Sequence, residues 1–154
     1  MINRRKVRET VLQSIYAYLQ SGDTVQHIAD TVLKEHLGTE KEVRRFGERL
    51  FFRTLENQTQ FDEIITQHIQ NWEISRLAMI DRIVLKIALC EFLYFEDIPT
   101  KVSINEAIEL AKKYSTAKSG RFVNGILDAS LEDLKQEGLV KKSGRGLIDR
   151  STHQ

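Results

Sequence analysis

Apolar residues recur at helical spacing along most of the chain, and no stretch alternates apolar and polar residues as a half-buried strand does. The first segment, Asn3 to Gln20, shows this best, because Val7, Val11, Ile15 and Tyr18 recur at i, i+4, i+8 and i+11. A stripe of this kind gives a helix one face that packs on a core. We therefore predict that the chain begins with a helix held to the protein by that face.

Capping residues and breaks divide the rest of the chain into further helices. Asp23 is a candidate N-cap, and Thr39 with Glu42 and Ser103 with Glu106 have the spacing of capping boxes. The predicted helices after the first cover residues 24–37, 39–69 with a division at 56–59, 76–95, 103–114 and 119–135. The sequence therefore predicts an all-α protein of six to seven helices.

The most apolar segment begins near Trp72 and Ile74 and continues to Phe95, and its polar residues are spread around the helix. Such a helix is covered by neighbours on most sides, so we expect it at the centre of the fold. The length of 154 residues suits one domain or two small subdomains. We predict two helical bundles, about 1–70 and 71–137, and a flexible basic tail over 138–154, where no periodicity is present.

Composition restricts the class of protein. With 41% hydrophobic and 29% charged residues, the chain has the composition of a globular protein. No stretch approaches the roughly 20 apolar residues of a membrane span, and no signal peptide begins the chain. The single cysteine, Cys90, cannot form an internal disulfide and lies in an apolar run. These features predict a cytoplasmic protein without a membrane partner.

A search for catalytic chemistry favours binding over catalysis. The sequence contains no metal-ligand spacing of histidine and cysteine, no glycine-rich phosphate loop and no nucleophile elbow. Its histidines are scattered along the chain: His27, His36, His68 and His153. We therefore predict that the protein is not an enzyme and needs no metal or cofactor.

The charge is unevenly distributed, although the net charge is only +1. Residues 1–8 carry four positive charges and no acid, and residues 135–154 carry a net charge of +3, so the remainder is acidic. A local basic surface can bind a polyanion even when the whole protein is almost neutral.

The basic residues of the first helix are Arg4, Arg5, Lys6 and Arg8. Cations at a helix N-terminus oppose the macrodipole at a cost of about 0.3–1 kcal/mol each, so a ligand is the better explanation for them. At about 100° per residue, Arg4 and Arg8 extend the apolar stripe beyond its buried part. Tyr16 and Tyr18 follow on the same helix and can stack on unpaired bases, although Tyr18 also fits the core stripe.

A second candidate site begins at Lys118, just before the last predicted helix, and includes Arg121 in its first turn. A helix N-terminus with adjacent cations can accept a phosphate. Phe122 lies at the edge of the apolar face, where it can be core or a stacking ring, and Asn124 can read a base edge or form a local cap. Each of the two groups is therefore a candidate contact for a polyanion with unpaired bases.

Three stretches resemble the bacterial NusB transcription antitermination family. They are RRKVRETVLQSIYAY, IDRIVLKIALCEF and IPTKVSINEAIELAKKYSTAKSGRFVNGILD, which occur in this order at the family's spacing. The resemblance extends from about Arg4 to Leu134. It implies two perpendicular helical bundles and binding to the boxA element of ribosomal-operon leader RNA. It also implies a heterodimer with the ribosomal protein that doubles as NusE, within an antitermination complex on RNA polymerase.

The resemblance assigns roles to individual positions. It places RNA contacts at Arg4, Arg5, Lys6, Arg8, Tyr16, Tyr18, Lys118, Arg121, Phe122 and Asn124. The contact with the protein partner falls on Asp81 of the central helix. Two positions depart from the family pattern, since tryptophan is frequent where Tyr18 stands and an acid is frequent where Lys118 stands.

Two other functions remain open at this stage. One is a helical adaptor that binds only protein, and the other is an RNA-binding module related to those fused to RNA cytosine methyltransferases. A homodimer that covers the basic face is also compatible with the resemblance.

Overall fold

The computed structural model describes residues 3–69 and 77–153, with side chains described as far as residue 148. All regular structure within these ranges is helical, which confirms the predicted all-α class. Contacts group the chain into a first unit, Met1–Glu56, and a second unit, Asn57–Gln154. The predicted boundary near residue 70, and the predicted start of the central segment at Trp72 and Ile74, lie outside the described residues.

The first unit consists of four α-helices and one π-helical segment. Helix α1 spans Arg4–Ser21 and α2 spans Val25–Ile28. The π-helical segment Ala29–Leu33 leads into α3, Lys34–Leu37, and α4 spans Lys41–Glu56. The predicted second helix is therefore divided by a π turn, which the apolar spacing of its side chains does not reveal.

Helix α1 begins and ends as its sequence predicts. The Asn3 side chain accepts a hydrogen bond from the Lys6 amide at 3.2 Å, and Gly22 ends the helix in the left-handed region with φ 77°. The apolar stripe is buried at Val7, Val11, Leu12 and Ile15. Because each fully buried side chain of this size contributes about 1.5–3 kcal/mol, this face holds α1 on the core of its unit.

Helix α1 approaches α4 closely at Gly47. A Cβ atom at this position would lie 2.7 Å from Leu37 Cδ1 and 3.2 Å from Val7 Cγ1. A side chain at this position would displace the end of Leu37 and crowd Val7, so glycine lets the two helices pack closely without such shifts. The helix pair then buries Leu50 and Phe51 of α4 completely.

The predicted cap at Asp23 is wrong. Thr24 caps α2 instead, because its hydroxyl accepts from the His27 amide at 3.0 Å. The amide of Asp23 donates to the Ser21 hydroxyl at 3.1 Å. Both residues are good N-caps, and the one-residue shift follows from where the turn after α1 ends.

In the described part of the second unit, residues 57–69 and 77–153, there are four α-helices and a final 3-10 segment. The α-helices are α5, Gln58–Thr66, α6, Met79–Tyr94, α7, Thr100–Tyr114, and α8, Ala117–Gln136. The 3-10 segment spans Gly144–His153. The predicted division near 56–59 is confirmed, since α4 ends at Glu56 and α5 begins at Gln58.

Helix α6 is the central helix of its unit, as predicted, and every residue from Ile83 to Phe92 is buried. Its buried polar residues have partners. The Lys86 ammonium lies 3.1 Å from Asp62 Oδ1 and donates to Gln58 Oε1 at 3.2 Å. Burial lowers the pKa of Lys86, and the charge of Asp62 opposes that shift. Lys86 therefore joins α6 to α5 while most of its surface is covered.

The predicted capping box at Ser103 is wrong, because α7 begins three residues earlier, after Pro99. Ser103 lies inside the helix and its hydroxyl donates to Glu91 Oε1 at 2.7 Å. Proline fixes the extended backbone that precedes the helix, and the serine is then used to satisfy a buried carboxylate of α6.

The expectation of a flexible, unstructured tail is also corrected. The Lys142 ammonium donates to the backbone carbonyls of Glu91, at 2.9 Å, and of Phe95, at 2.7 Å. The Ser143 amide donates to the Glu96 carbonyl at 3.1 Å. Carbonyls at a helix C-terminus need donors and favour a cation, so the end of α6 supplies a docking point that hydrophobic periodicity does not predict.

Replacing Lys142 by alanine should lower the free energy of unfolding by about 1.5–3 kcal/mol, since hydrogen bonds from a charged donor are lost at the end of α6. Urea unfolding followed by circular dichroism measures the change. Lys141→Ala is the matched control, because this neighbouring lysine is exposed. Equal effects of the two substitutions would contradict a docked Lys142.

Candidate nucleic-acid interface

The basic N-terminal end of α1 contains side chains of different exposure. Arg5 and Lys6 are exposed and Arg4 is half-buried, whereas Arg8 is only 3% exposed. The expectation that Arg8 extends beyond the buried part of the stripe is therefore wrong. Only three of the four cations offer charge at the surface.

The burial of Arg8 is explained by Phe46 of α4. The Arg4 guanidinium carbon lies 4.5 Å from the centroid of the Phe46 ring, and that of Arg8 lies 5.6 Å from it. Both distances are within the range of a cation–π interaction, which stabilises a desolvated guanidinium by up to about 2 kcal/mol. The ring thus holds two arginines and restricts the orientation of Arg4 at the surface.

Tyr16 lies on the same exposed side of α1 as Arg5, since eleven residues correspond to about three turns. Its side chain is 41% exposed, so one surface of the ring is available for stacking on a base. Tyr18 is half-buried, and whether it is a base contact or core stays a prediction.

In the second unit, the predicted cations lie at the beginning of α8. Helix α8 begins at Ala117 rather than Ser119, so Lys118 belongs to its first turn. Lys118 and Arg121 are both exposed and lie about one turn apart on one face. The Thr116 hydroxyl accepts from the Ser119 amide at 3.2 Å, so the amide of Ser119 is already used within the protein. Phosphate binding here depends on the two side-chain charges.

Phe122 and Asn124 occupy the next turn of α8. Phe122 is half-buried, which is compatible with both of its predicted roles, and Asn124 is exposed. Asn124 follows Arg121 by about one turn, so its exposed amide can contact a ligand that Arg121 binds.

Asp81 of α6 is buried, at 7% exposure, and contacts the beginning of α8. Its Oδ2 accepts from the Ser119 hydroxyl at 3.0 Å, and that hydroxyl is also 3.0 Å from the Ser115 hydroxyl. Oδ1 has no hydrogen-bond partner among the described residues. Asp81 therefore positions the turn that carries Lys118, and it retains one unused acceptor.

Sequence reasoning missed Phe46 and Ser119 as parts of these two sites. Phe46 fits the apolar stripe of α4, and no feature of the sequence distinguishes an aromatic residue that stacks on arginine from ordinary core. Ser119 is the first residue of the last predicted helix. Nothing in the sequence indicates that its hydroxyl meets the carboxylate of Asp81.

Searches for other chemistry add no further site within the described residues. No group of three or more histidine, cysteine or acidic side chains there is arranged to hold a metal ion. In the same part of the chain, no helix has the length and apolar character needed to cross a membrane.

Comparisons with known proteins point to one family. The sequence model of the NusB family matches residues 5–132. The chain is 46% identical over 154 residues to the transcription antitermination protein NusB of Salinibacter ruber, covering 100% of this chain and 96% of that protein. It is 41% identical over 135 residues to the NusB protein of Bacillus subtilis, covering 88% of this chain and 99% of that protein.

Solved structures show the same fold. The structure of T. maritima NusB has a TM-score of 0.78 and 34% identity, and covers 86% of this chain and 92% of that one. A chain from a crystal structure of antitermination factors NusB and NusE in complex with dsRNA has a TM-score of 0.76 at 24% identity, with coverage of 84% and 96%. At that identity the second likeness shows the fold alone.

The Arg4–Phe46 contact can be measured by a double-mutant cycle with Arg4→Gln, Phe46→Leu and the double variant. We expect a coupling free energy of about 0.5–2 kcal/mol, because each single substitution already removes the contact between the guanidinium and the ring. Urea unfolding of the four proteins supplies the values. Additive effects would show that the two side chains do not interact.

Proposed function

Because the chain belongs to the NusB family, we propose that it is a transcription antitermination factor that binds boxA-type single-stranded leader RNA of ribosomal RNA operons. It binds this RNA together with the ribosomal protein NusE, as part of an antitermination complex on RNA polymerase. The observation that carries the proposal is the cationic end of α1, where Arg4 is held on Phe46 beside exposed Arg5 and Lys6.

The comparisons support both partners. The two relatives described above are transcription antitermination proteins. The match covers almost their full length. A chain of the same fold occurs in a crystal structure of the antitermination factors NusB and NusE in complex with dsRNA. We therefore propose RNA and NusE as the two partners of this protein.

The side chains divide into two kinds of contact. Arg4, Arg5 and Lys6 contact phosphates, which position the strand without reading its sequence. Tyr16 stacks on an unpaired base. Arg8 is buried on the Phe46 ring and does not contact the RNA.

The residues of α8 form a second contact with the RNA. Lys118 and Arg121 bind phosphate, and Phe122 and Asn124 contact bases by stacking and hydrogen bonding. Lys118 adds attraction to the strand. Sequence preference comes from the aromatic rings, Asn124 and the protein partner rather than from the cations.

The NusE contact includes Asp81. Its Oδ1 is a buried acceptor without a donor among the described residues, and such an atom costs about 1–3 kcal/mol while it is unsatisfied. Because Oδ1 is buried, the partner contacts the surface that Asp81 and Ser119 support rather than this atom. The protein acts by binding rather than by catalysis, it needs no cofactor, and its place is the bacterial cytoplasm, where transcription occurs.

RNA binding by α1 is tested by the salt dependence of the binding constant. Arg5→Gln with Lys6→Gln should reduce the slope of log K against log salt concentration by about 1.4, since each lost contact with a single strand removes about 0.7. Arg8→Gln is the matched comparison. We expect this substitution to lower the free energy of unfolding and leave the slope unchanged, because the side chain is buried on Phe46.

Fluorescence anisotropy with a boxA-type RNA, in the presence and absence of NusE, supplies the constants. Absence of RNA binding in both conditions would favour the protein-only adaptor. An unchanged slope for the double variant would remove the proposed role of Arg5 and Lys6.

The role of Phe122 is tested by Phe122→Ala. If the ring stacks on a base, RNA binding should weaken by about 1–3 kcal/mol at a fixed salt concentration. A lower melting temperature with unchanged RNA affinity would instead show that Phe122 belongs to the core of the second unit.

A further inference from the structure

Helix α4 carries a row of exposed cations that the contacts proposed above do not use. Lys41, Arg45, Arg49 and Arg53 follow one another at every fourth residue, and all four are exposed. The helix has five basic and three acidic residues, so the row belongs to a net positive element. Exposed cations on one side of a helix can attract a polyanion even when the whole protein is almost neutral.

The contact between α1 and α4 shows which side of each helix borders the other. Gly47 of α4 lies against Val7 of α1, since a Cβ atom there would be 3.2 Å from Val7 Cγ1. Phe46 of α4 lies under Arg4 and Arg8 of α1. These two contacts mark opposite sides of the interface between the helices.

On α4, the arginine row lies on the Phe46 side of that interface. At about 100° per residue, Gly47 is rotated about 100° from Phe46 in one direction. Arg53 and Arg49 are rotated about 20° and about 60° in the other direction. The exposed arginines therefore lie on the side of α4 where Arg4 and Arg8 meet the Phe46 ring.

On α1, the exposed residues Arg5 and Tyr16 lie on the same side. Val7 is rotated about 100° from Arg8 in one direction, and Arg5 and Tyr16 are rotated about 60° and about 80° in the other. Because Val7 marks the Gly47 side, Arg5 and Tyr16 lie on the Phe46 side. The arginine row of α4 and the exposed residues Arg5 and Tyr16 of α1 therefore lie on the same side of the helix pair, where Arg4 and Arg8 stack on Phe46.

We propose that α4 is a second part of the RNA-binding surface of the first unit, in which Arg45, Arg49 and Arg53 bind successive phosphates of the strand whose base stacks on Tyr16. The inference rests on the proposed RNA-binding function and adds a site to it. Arginine suits this role because its guanidinium donates two hydrogen bonds to one phosphate. Contacts of this kind carry no sequence information, so the arginine row adds affinity for any RNA that binds this surface.

The test compares three variants of the full chain in the presence of NusE. The first replaces Arg45, Arg49 and Arg53 by glutamine, and the second replaces the same residues by lysine. The matched control replaces Lys135, Lys141 and Arg145, which are exposed in the second unit, by glutamine. The probes are a boxA-type RNA with flanking nucleotides and an unrelated single strand of equal length.

For the glutamine variant of α4, the slope of log K against log salt concentration should fall by about 2, as expected for three lost contacts. When the salt concentration rises from about 50 to about 200 mM, the RNA affinity of both proteins falls. The factor by which it falls should be about 20 times smaller for this variant than for the wild type. The ratio of affinities for the two RNAs should stay the same, because phosphate contacts do not discriminate. The lysine variant should keep most of the slope, because it keeps the three positive charges.

Several results would overturn the proposal. One is a wild-type slope in the glutamine variant of α4, and another is an equal loss in the control, which would show an effect of net charge alone. A third is failure of the lysine variant to restore the slope. If the wild-type chain itself does not bind RNA with NusE present, the proposed function fails first. If Arg5→Gln with Lys6→Gln lowers the slope and the α4 variant does not, RNA binding stands and the α4 contact is excluded.

Discussion

The stacking of two arginines of α1 on Phe46 of α4 is the contact on which the surface of the first unit depends. Arginine side chains at a helix end are mobile and strongly hydrated unless something restricts them. The ring provides a face at 4.5 Å and 5.6 Å for two guanidinium groups, and the close approach at Gly47 brings the helices near enough for this to occur. A cationic surface ordered before RNA binds loses less entropy on binding.

In the second unit, buried polar contacts likewise fix the positions of surface segments. Asp81 holds Ser119 and thereby the first turn of α8, which carries Lys118. Lys142 closes the carbonyl end of α6. In each case a charged side chain that the sequence presents as a candidate for binding has a hydrogen-bond partner within the protein.

Net charge is a poor guide to a protein of this kind. An overall charge of +1 conceals basic segments in both units, and the exposed row on α4 is interleaved with acids so that it does not stand out in the sequence. What matters for a polyanion is the charge on one face of the folded chain, since screening reduces interactions beyond about 10 Å. Helical spacing converts a mixed sequence into such a face.

The sequence by itself determined the helical class, the central position of α6, most helix boundaries and the basic character of the first helix. These follow from periodicity, caps and local charge, which act within a few residues of chain. Only the tertiary structure decided that Arg8 is buried, that Ser103 serves Glu91 and that Lys142 docks on α6. Each of these outcomes depends on a partner far away in the chain, and no local pattern specifies which distant ring, carboxylate or carbonyl a side chain will meet.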